Sequence, residues 1–397
     1  MDVTYMENLK NGYDMLYLAA CALQDIAPED AAVKAMDLEG VYVQAEKQML
    51  LAITCYSVER WLKQAENATV DPQLLEKWKE AKNKAIRKNM LLDLEREKII
   101  AYMEEQHIWH MPLKGSILKD LYPALGMRQM SDNDILVDPN CRKDLYTYMT
   151  GRGYKGEYQE NDNHDVYLKA PVYNFEIHNA LFSDTSDPNW TAYYQNLKDR
   201  LSKDANKEYG FHFQDEDFYI YMVLHAYNHH THSGNGVRHL MDVQVYLNQK
   251  PEMDWDYIRD ELVSLGVADY ESTVRSLAGK LFNKQCVKLA DLETMLTAQE
   301  RELLEFGICV GTYGNREVWT QNNLRRSTNG ESVTIFGKIK YLWKRMVYLE
   351  GLYSYYPRLA NYKILRPFLY VGRIFVGITQ YGSRLWPEIK TLLKIKR

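Results

Sequence analysis

Two aspartates, Asp132 and Asp134, have the residue type and spacing that most directly suggest chemistry, and they stand just before the apolar run 135–137. Side chains alternate faces along a β-strand and each residue rises about 3.3 Å, so both carboxylates are expected to point the same way, about 6.5 Å apart. Carboxylates placed in this way repel each other unless a cation lies between them. Because Mg²⁺ binds through one or two carboxylates, several waters and a substrate phosphate, the pair predicts a magnesium site, with a solvated turn or cap as the alternative.

A glycine turn lies upstream of the two aspartates. Lys114, Gly115 and Ser116 follow the short, mostly apolar run 108–113 and precede a segment with a helical pattern. This order predicts a strand, a turn and a helix N-terminus, where free backbone N–H groups and the helix dipole favour a phosphate. The segment 111–138 is therefore interpreted as a phosphate-binding turn that faces a metal site.

A third carboxylate, Glu176, lies in the middle of the run 173–178, which has the composition of a strand. A charged residue in such a strand needs a partner or a metal ion, because burying it alone is costly. Three carboxylates on neighbouring strands can hold two Mg²⁺ ions about 4 Å apart, which activate an attacking oxygen and stabilise a leaving pyrophosphate.

Two basic residues flank these motifs. A nucleoside triphosphate carries about four negative charges, and phosphoryl transfer depends on positioning and neutralising them. Arg128 is suited to bind a phosphate through its planar fork or, alternatively, to form a salt bridge with one of the two aspartates. Lys114 is either part of the phosphate-binding set or an ordinary surface charge.

Histidines cluster in the segment 225–232. His225 and His229 have zinc-ligand spacing, but no acidic residue stands between them, so the metalloprotease motif fails. The segment is then either a helix that lines the substrate cleft, with His225, His229 or Arg238 near the nucleotide or acceptor, or a helix without catalytic duty. Asp242, four residues after Arg238, is a candidate for its ion-pair partner.

Composition indicates a globular protein. The 397 residues are 46% apolar and 26% charged, and five scattered cysteines without a CxxC pair favour a reduced compartment. The N-terminal sequence lacks a signal-peptide pattern, and no apolar run approaches 18 residues. We therefore expect a cytoplasmic protein.

The pattern of the chain predicts four regions that would position the candidate residues. They are an N-terminal helical region at 1–106, an α/β core at 107–183, a helical region that completes the cleft at 184–330, and a basic helical tail at 331–397. The first ends in a long amphipathic helix at 73–106, after a start signal at Asp71-Pro72.

Further elements are predicted within the core and the third region. In the core, the pattern gives a helix at 142–152 and two strands at 166–168 and 173–177, joined by a turn at Pro171. The third region is expected to form helices at 215–229, 237–247, 255–265, 270–282 and 297–309, followed by a polar loop at 314–332.

The tail has a distinct charge. It carries 13 Lys or Arg against 3 Glu, although the whole chain has a net charge of −5. Prolines at 357, 367 and 387 are expected to divide it into short helices. The tail either packs on the body, with lysine stems covering apolar surface, or contacts a membrane surface or nucleic acid.

These motifs resemble a known family. Gly115-Ser116, then Asp132-x-Asp134 and then an acidic strand residue are similar to the signature of the nucleotidyltransferase superfamily related to DNA polymerase β. More narrowly, LKG, Tyr-Pro, R-x-x-S-D-x-D-I-L-V and E-I-H resemble a bacterial branch of uncharacterised nucleotidyltransferase family proteins. The resemblance covers about residues 40–300.

The resemblance implies roles for individual residues. Asp132 and Asp134 would bind Mg²⁺, and Glu176 would complete the triad and activate the acceptor hydroxyl. Gly115 and Ser116 would hold the triphosphate, and His178 of the E-I-H motif joins the candidate nucleotide-binding set. One departure is that 15 residues separate Ser116 from Asp132, which is longer than the compact superfamily spacing.

Together these features predict an α+β protein in which a small mixed β-sheet is wrapped by N- and C-terminal helices. The expected function is transfer of a nucleoside monophosphate from an NTP such as ATP, with Mg²⁺ or Mn²⁺, to a hydroxyl or phosphate of an unidentified acceptor. The acidic body favours a small molecule over nucleic acid, and a protein acceptor remains open. The alternative is a non-catalytic nucleotide-binding or regulatory protein with the same fold.

Overall fold

A computed structural model describes residues 3–157, 163–183, 186–283, 294–314, 316–327, 338, 362–379 and 390–391. The chain divides into two compact units, one formed by 1–227 with 236–312 and the other by 228–235 with 313–397. Helices and a five-stranded mixed sheet give the expected α+β fold. The division into four regions stays a prediction.

Most of the described residues from 3 to 105 lie in helices, as the sequence predicts. The helices are α1 Val3–Leu23, α2 Asp30–Lys34, α3 Leu38–Lys47, α4 Leu51–Gln64 and α5 Pro72–Glu105. Asp71 begins α5 by accepting hydrogen bonds from the N–H groups of Gln73 and Leu74, and Pro72 occupies the first turn, where no N–H is needed. The predicted start signal and long helix are confirmed.

The central sheet has the strand order β1-β2-β5-β4-β3. Its strands are β1 His110–Pro112, β2 Asn133–Val137, β3 Lys155–Glu157, β4 His164–Lys169 and β5 Tyr173–His178. β2 and β5 are parallel, whereas the other neighbours are antiparallel. The predicted strands around 166–168 and 173–177 are confirmed as the hairpin of β4 and β5.

Side chains alternate along each strand, so the two faces of the sheet differ: one is apolar and packed, and the other carries polar side chains. Ile135 and Ile177 belong to one face, and they share a buried cluster with Leu92 and Ile99 of α5. The helix α7 Arg142–Gly151, close to its predicted bounds, contributes Leu145 to the same cluster. The sheet is thereby fixed on one face, and the other face is left to carry polar side chains.

The remaining elements follow the sheet in chain order. Between β1 and β2 lies the one-turn helix α6 Gly115–Leu118. After β5 come α8 Pro188–Tyr193, β6 Ser202–Lys203, β7 Phe211–His212, α9 Asp215–His232, α10 Arg238–Gln249, α11 Trp255–Ser264, α12 Ala268–Phe282 and α13 Ala298–Val310. The helices predicted in this region are confirmed within a few residues at each end.

The prediction of a polar loop at 314–332 is wrong in its central part. Residues Arg316–Ser327 form a helix, α14. Thr320 and Leu324 are four residues apart, so they lie on one face of the helix, and both are fully buried. The polar composition of the segment hides this buried face from a prediction based on sequence.

Only part of the basic tail is described. Helix α15 Arg366–Thr379 has Pro367 in its first turn, whereas Pro357 and Pro387 lie outside the described residues. Within the described part of the chain, no helix combines the length and the apolar character needed to cross a membrane. Among the described residues, Cys55, Cys141 and Cys309 are free cysteines, and Cys286 lies outside the description.

Candidate active site

Strand pairing brings two of the three predicted carboxylates together. β2 and β5 run parallel in a register that places Asp134 directly opposite Glu176. Side chains opposite each other on adjacent strands point to the same face of a sheet, with Cβ atoms about 5 Å apart. The two carboxylates, 42 positions apart in sequence, therefore face one another on the polar side of the sheet.

His178 completes this cluster. It lies two residues after Glu176 and so on the same face, and its Nε2 is 3.0 Å from Oδ1 of Asp134 and 3.7 Å from Oε2 of Glu176. One ligand atom from each of the three residues lies within 4.8 Å of the others. Among the described residues, this is the group of three acidic, histidine or cysteine side chains suited to hold a metal ion.

Lys114 lies at the edge of the cluster in a strained turn. Its φ of +40° is in a region that residues other than glycine rarely adopt. Its Nζ is 3.5 Å from Oδ2 of Asp134, and its side chain is only 19% exposed. The alternative of an ordinary surface charge is therefore wrong, because the ammonium group faces the carboxylates.

The charges in this cluster shift one another's pKa values. Burial alone would raise the pKa of Asp134, but Lys114 and His178 outweigh burial and hold that pKa well below its usual value. Burial would lower the pKa of Lys114, yet Asp134 and other nearby anionic groups raise it. Asp134 is therefore ionised, and the ammonium group of Lys114 and Nε2 of His178 lie against its oxygens.

Asp132 takes a different position from its partner in the motif. It precedes β2 and is not part of the three-residue group, although the charges of that group and of Lys114 act on its carboxyl. Burial, followed by the negative charges of Asp134 and Glu176, raises the pKa of Asp132, and Lys114 opposes the shift. A carboxyl in this position gains from a divalent cation, which would compensate the repulsion.

Helix α9 brings two side chains, His225 and Tyr221, close to the cluster. His225, a predicted cleft residue, lies near enough for its charge to lower the pKa of Asp134. Tyr221 stands one turn earlier, is fully buried, and accepts a hydrogen bond from Lys114. Tyr221 is not among the residues predicted from the sequence, where its only signal is its position four residues before His225 on the same helical face.

Arg128, which is buried, and Arg238, which is half-buried, lie beside the cluster. Both oxygens of Asp242 accept from the Arg128 fork, at 2.7 Å from Nε and 2.9 Å from Nη2. The hydroxyl of Tyr122 donates to the same carboxylate at 2.7 Å. The expected ion pair of Asp242 with Arg238 is therefore wrong, because Arg128 is the arginine that pairs with Asp242. Arg238 donates instead to the carbonyl of Gln129 at 3.0 Å, although its charge also lowers the pKa of Asp242.

The glycine turn is tightly packed. A Cβ on Gly115 would lie 2.6 Å from Nη1 of Arg128 and 3.0 Å from the sulfur of Met130. Ser116 donates both its hydroxyl, at 2.7 Å, and its N–H, at 3.3 Å, to the carbonyl of Leu113. Gly115 is thus required by close approach, whereas the hydroxyl of Ser116 is used within the turn in this structure.

His164 lies next to the cluster, whereas the predicted pair His225 and His229 forms no metal site among the described residues. His164 at the start of β4 stacks on His178 at 5.1 Å between ring centroids, and its Nε2 is 3.9 Å from Glu176. His225 and His229, the pair with zinc-ligand spacing, belong to no metal-binding group of three within the described ranges.

The donor set fits a divalent cation. Two carboxylates and an imidazole converge on one point, and the third carboxyl, Asp132, lies beside them with Lys114. Such a set is able to bind a metal ion and, through it, phosphate oxygens, while the cationic side chains compensate further negative charge.

A family model described as "Uncharacterised nucleotidyltransferase" matches residues 34–283, which include all elements of the sheet and helices α9 to α12. Searches of curated proteins and of solved structures found no match.

Proposed function

The chain belongs to the uncharacterised nucleotidyltransferase family, and on this premise we propose that it transfers a nucleoside monophosphate from an NTP to a small hydroxyl- or phosphate-bearing acceptor, with Mg²⁺ or Mn²⁺ at the carboxylate cluster. An acceptor oxygen would attack the α-phosphorus, the bond to the bridging oxygen would break, and pyrophosphate would leave. A relation to the DNA polymerase β superfamily remains a prediction.

The observation that carries the proposal is the in-register pairing of Asp134 with Glu176, with Lys114 beside them. When bound, a divalent cation lowers the charge barrier between phosphate and nucleophile. Asp132, Asp134 and Glu176 would hold the cation, and Glu176 is the carboxylate that would accept the proton of an acceptor hydroxyl. Its side chain is 24% exposed, compared with 7% for Asp134, so it is the more accessible of the two.

The cationic side chains would position the triphosphate. Lys114 is held by Asp134 and Tyr221, and His225 and Arg238 approach the same carboxyl groups from α9 and α10. A phosphate chain with about four negative charges requires several such partners in a fixed arrangement. Arg128 is already engaged by Asp242, so we assign it the role of supporting the glycine turn.

A cavity of about 730 Å³ supports a small-molecule acceptor. It is lined by Leu136, the register partner of His178, and by the aromatic rings of Trp109, Phe182 and Tyr194. The volume is within the range of roughly 300–1,000 Å³ that is usual for small-molecule sites. Trp109→Ala is therefore expected to raise the KM for the acceptor and to leave the KM for the NTP unchanged.

The test is pyrophosphate release and labelling from each [α-³²P]NTP, with Mg²⁺ or Mn²⁺ and a small-molecule extract as the source of acceptor. Asp134→Asn and Glu176→Gln keep the shape of the side chains and are expected to lower the rate by about 100-fold or more. Asp144→Asn, an exposed change on α7, is the matched control. Equal rates for the wild type and both site variants would refute the proposal.

A further inference from the structure

The spacing of three donor atoms around His178 carries an inference beyond the metal dependence proposed above, on which it rests. Nε2 of His178 is 3.0 Å from Oδ1 of Asp134 and 3.7 Å from Oε2 of Glu176. Ligand atoms about 2.1 Å from one ion are about 3.0 Å apart at an angle of 90° and about 3.6 Å apart at 120°. The two measured edges therefore match neighbouring positions in one coordination sphere.

The imidazole is held in this place by its surroundings. His178 is 5% exposed and lies on β5, a strand paired on both sides, so its backbone has little freedom. Its Nδ1 has no hydrogen-bond partner among the described residues. In the metal-free arrangement Nε2 lies at hydrogen-bond distance from Asp134, so a cation that binds Nε2 must displace the proton between them. The neutral ring then keeps its one proton on Nδ1 and turns the Nε2 lone pair toward the ion.

Ligand chemistry then distinguishes between cations. Mg²⁺ is bound almost entirely by oxygen, whereas imidazole nitrogen is a ligand for first-row transition metals. Mn²⁺ accepts carboxylates as Mg²⁺ does and, as a transition-metal ion, also accepts imidazole nitrogen, so a mixed set of two carboxylates and one imidazole suits Mn²⁺ better than Mg²⁺.

We propose that Nε2 of His178 is a direct ligand of the catalytic cation, together with Asp134 and Glu176, and that this nitrogen makes the site selective for Mn²⁺ over Mg²⁺. The competing arrangement is one in which His178 only donates a hydrogen bond to Asp134 and the cation is bound by oxygen alone.

Electron paramagnetic resonance of the metal-free full-length chain separates the two arrangements without an activity assay. Titration with Mn²⁺ gives the dissociation constant from the loss of the free-ion signal, and competition gives that of Mg²⁺. Spin-echo modulation of bound Mn²⁺ then detects a directly bound ¹⁴N. We expect ¹⁴N coupling in the wild type and tighter binding of Mn²⁺ than of Mg²⁺.

His178→Gln should abolish the ¹⁴N coupling and weaken Mn²⁺ binding by about tenfold or more, with a smaller effect on Mg²⁺. His164→Gln is the matched control, because that ring stacks on His178 and is also close to Glu176. This control should retain the coupling. If His178→Gln does not fold, wild-type protein labelled with ¹⁵N-histidine serves instead, since a histidine ligand must change the modulation frequency.

Each outcome decides one point. Tight Mn²⁺ binding without nitrogen coupling overturns the ligand role of His178 and leaves the nucleotidyltransferase proposal intact. Coupling that disappears in His164→Gln and persists in His178→Gln assigns the wrong ring and also overturns the inference. If neither cation binds, both the inference and the proposed metal dependence fail.

Discussion

Removal of the Asp242 carboxylate should strongly destabilise the protein. Arg128 and Asp242 are each only 7% exposed, and Asp242 accepts two hydrogen bonds from the Arg128 fork and one from Tyr122. Asp242→Ala would leave that guanidinium buried without a counter-charge. Breaking a buried ion pair on one side costs about 3–5 kcal/mol.

We expect the cost of Asp242→Ala to lie in the upper part of that range, because a second arginine is nearby. Arg238 lies close enough to Arg128 that the pKa of Arg238 falls, first through burial and then through the charge of Arg128. Asp242 compensates both cations, so its loss would also expose their mutual repulsion. The double variant Arg128→Met/Asp242→Leu removes both charges and should recover most of the stability, because an apolar pair of similar volume is often neutral.

Urea unfolding followed by circular dichroism measures these free energies, and a double-mutant cycle gives the coupling between the two residues. Asp256→Ala is the matched control, because its ion pair with Arg259 has a similar length of 2.8 Å but side chains that are 84% and 63% exposed. It should cost less than about 1 kcal/mol. If Asp242→Ala costs no more than this control, or if the two single losses simply add, the account of the buried pair is refuted.

Three further changes test other parts of the structure. Gly115→Ala should lower the free energy of unfolding by about 1–3 kcal/mol, because the added Cβ would meet an immobilised guanidinium nitrogen at 2.6 Å, as urea unfolding would show. A second change concerns Glu300. Burial alone would raise the pKa of Glu300, but hydrogen bonds from a lysine, a serine and the helix cap lower that pKa from 4.5 to about 2. The ionised Glu300 therefore stabilises the folded state fully above pH 4.5, and this stabilisation is lost as the pH falls toward the folded pKa. Glu300→Gln should lower the free energy of unfolding by about 1–3 kcal/mol at pH 7 and by less in acid. The exposed control Glu302→Gln should show no such dependence on pH. Tyr221→Phe removes the hydroxyl that accepts from Lys114 and should raise the KM for NTP by about tenfold with a smaller change in kcat; an unchanged KM would contradict that positioning role.

Local signals in the sequence determine most of the secondary structure. The start of α5 follows from Asp71 and Pro72, and the hairpin of β4 and β5 follows from alternation around Pro171. These features depend on neighbours within a few residues, so a single sequence contains the information. The polar composition of α14 conceals its helix, because among its side chains that the structure describes, Thr320 and Leu324 are the buried ones.

The candidate residues were found in the same way, but their partners were not. The sequence indicated Asp134 and Glu176 through charge within apolar runs, yet it gave no account of which strand lies beside which. It placed Lys114 at the turn and left open whether that side chain was exposed. The ion-pair partner of Asp242 was assigned to the nearest arginine in sequence, whereas the structure supplies Arg128.

Periodicity, helix caps and turns are properties of short segments, so the elements and the residue types that carry chemistry can be predicted from the sequence. Which side chains meet depends on the fold. The parallel pairing of β2 with β5 places Asp134 opposite Glu176 and brings His178 into the cluster, and the packing of α9 adds Tyr221. Contacts of this kind join residues far apart along the chain, and they are fixed by the register of the sheet and the burial of whole elements.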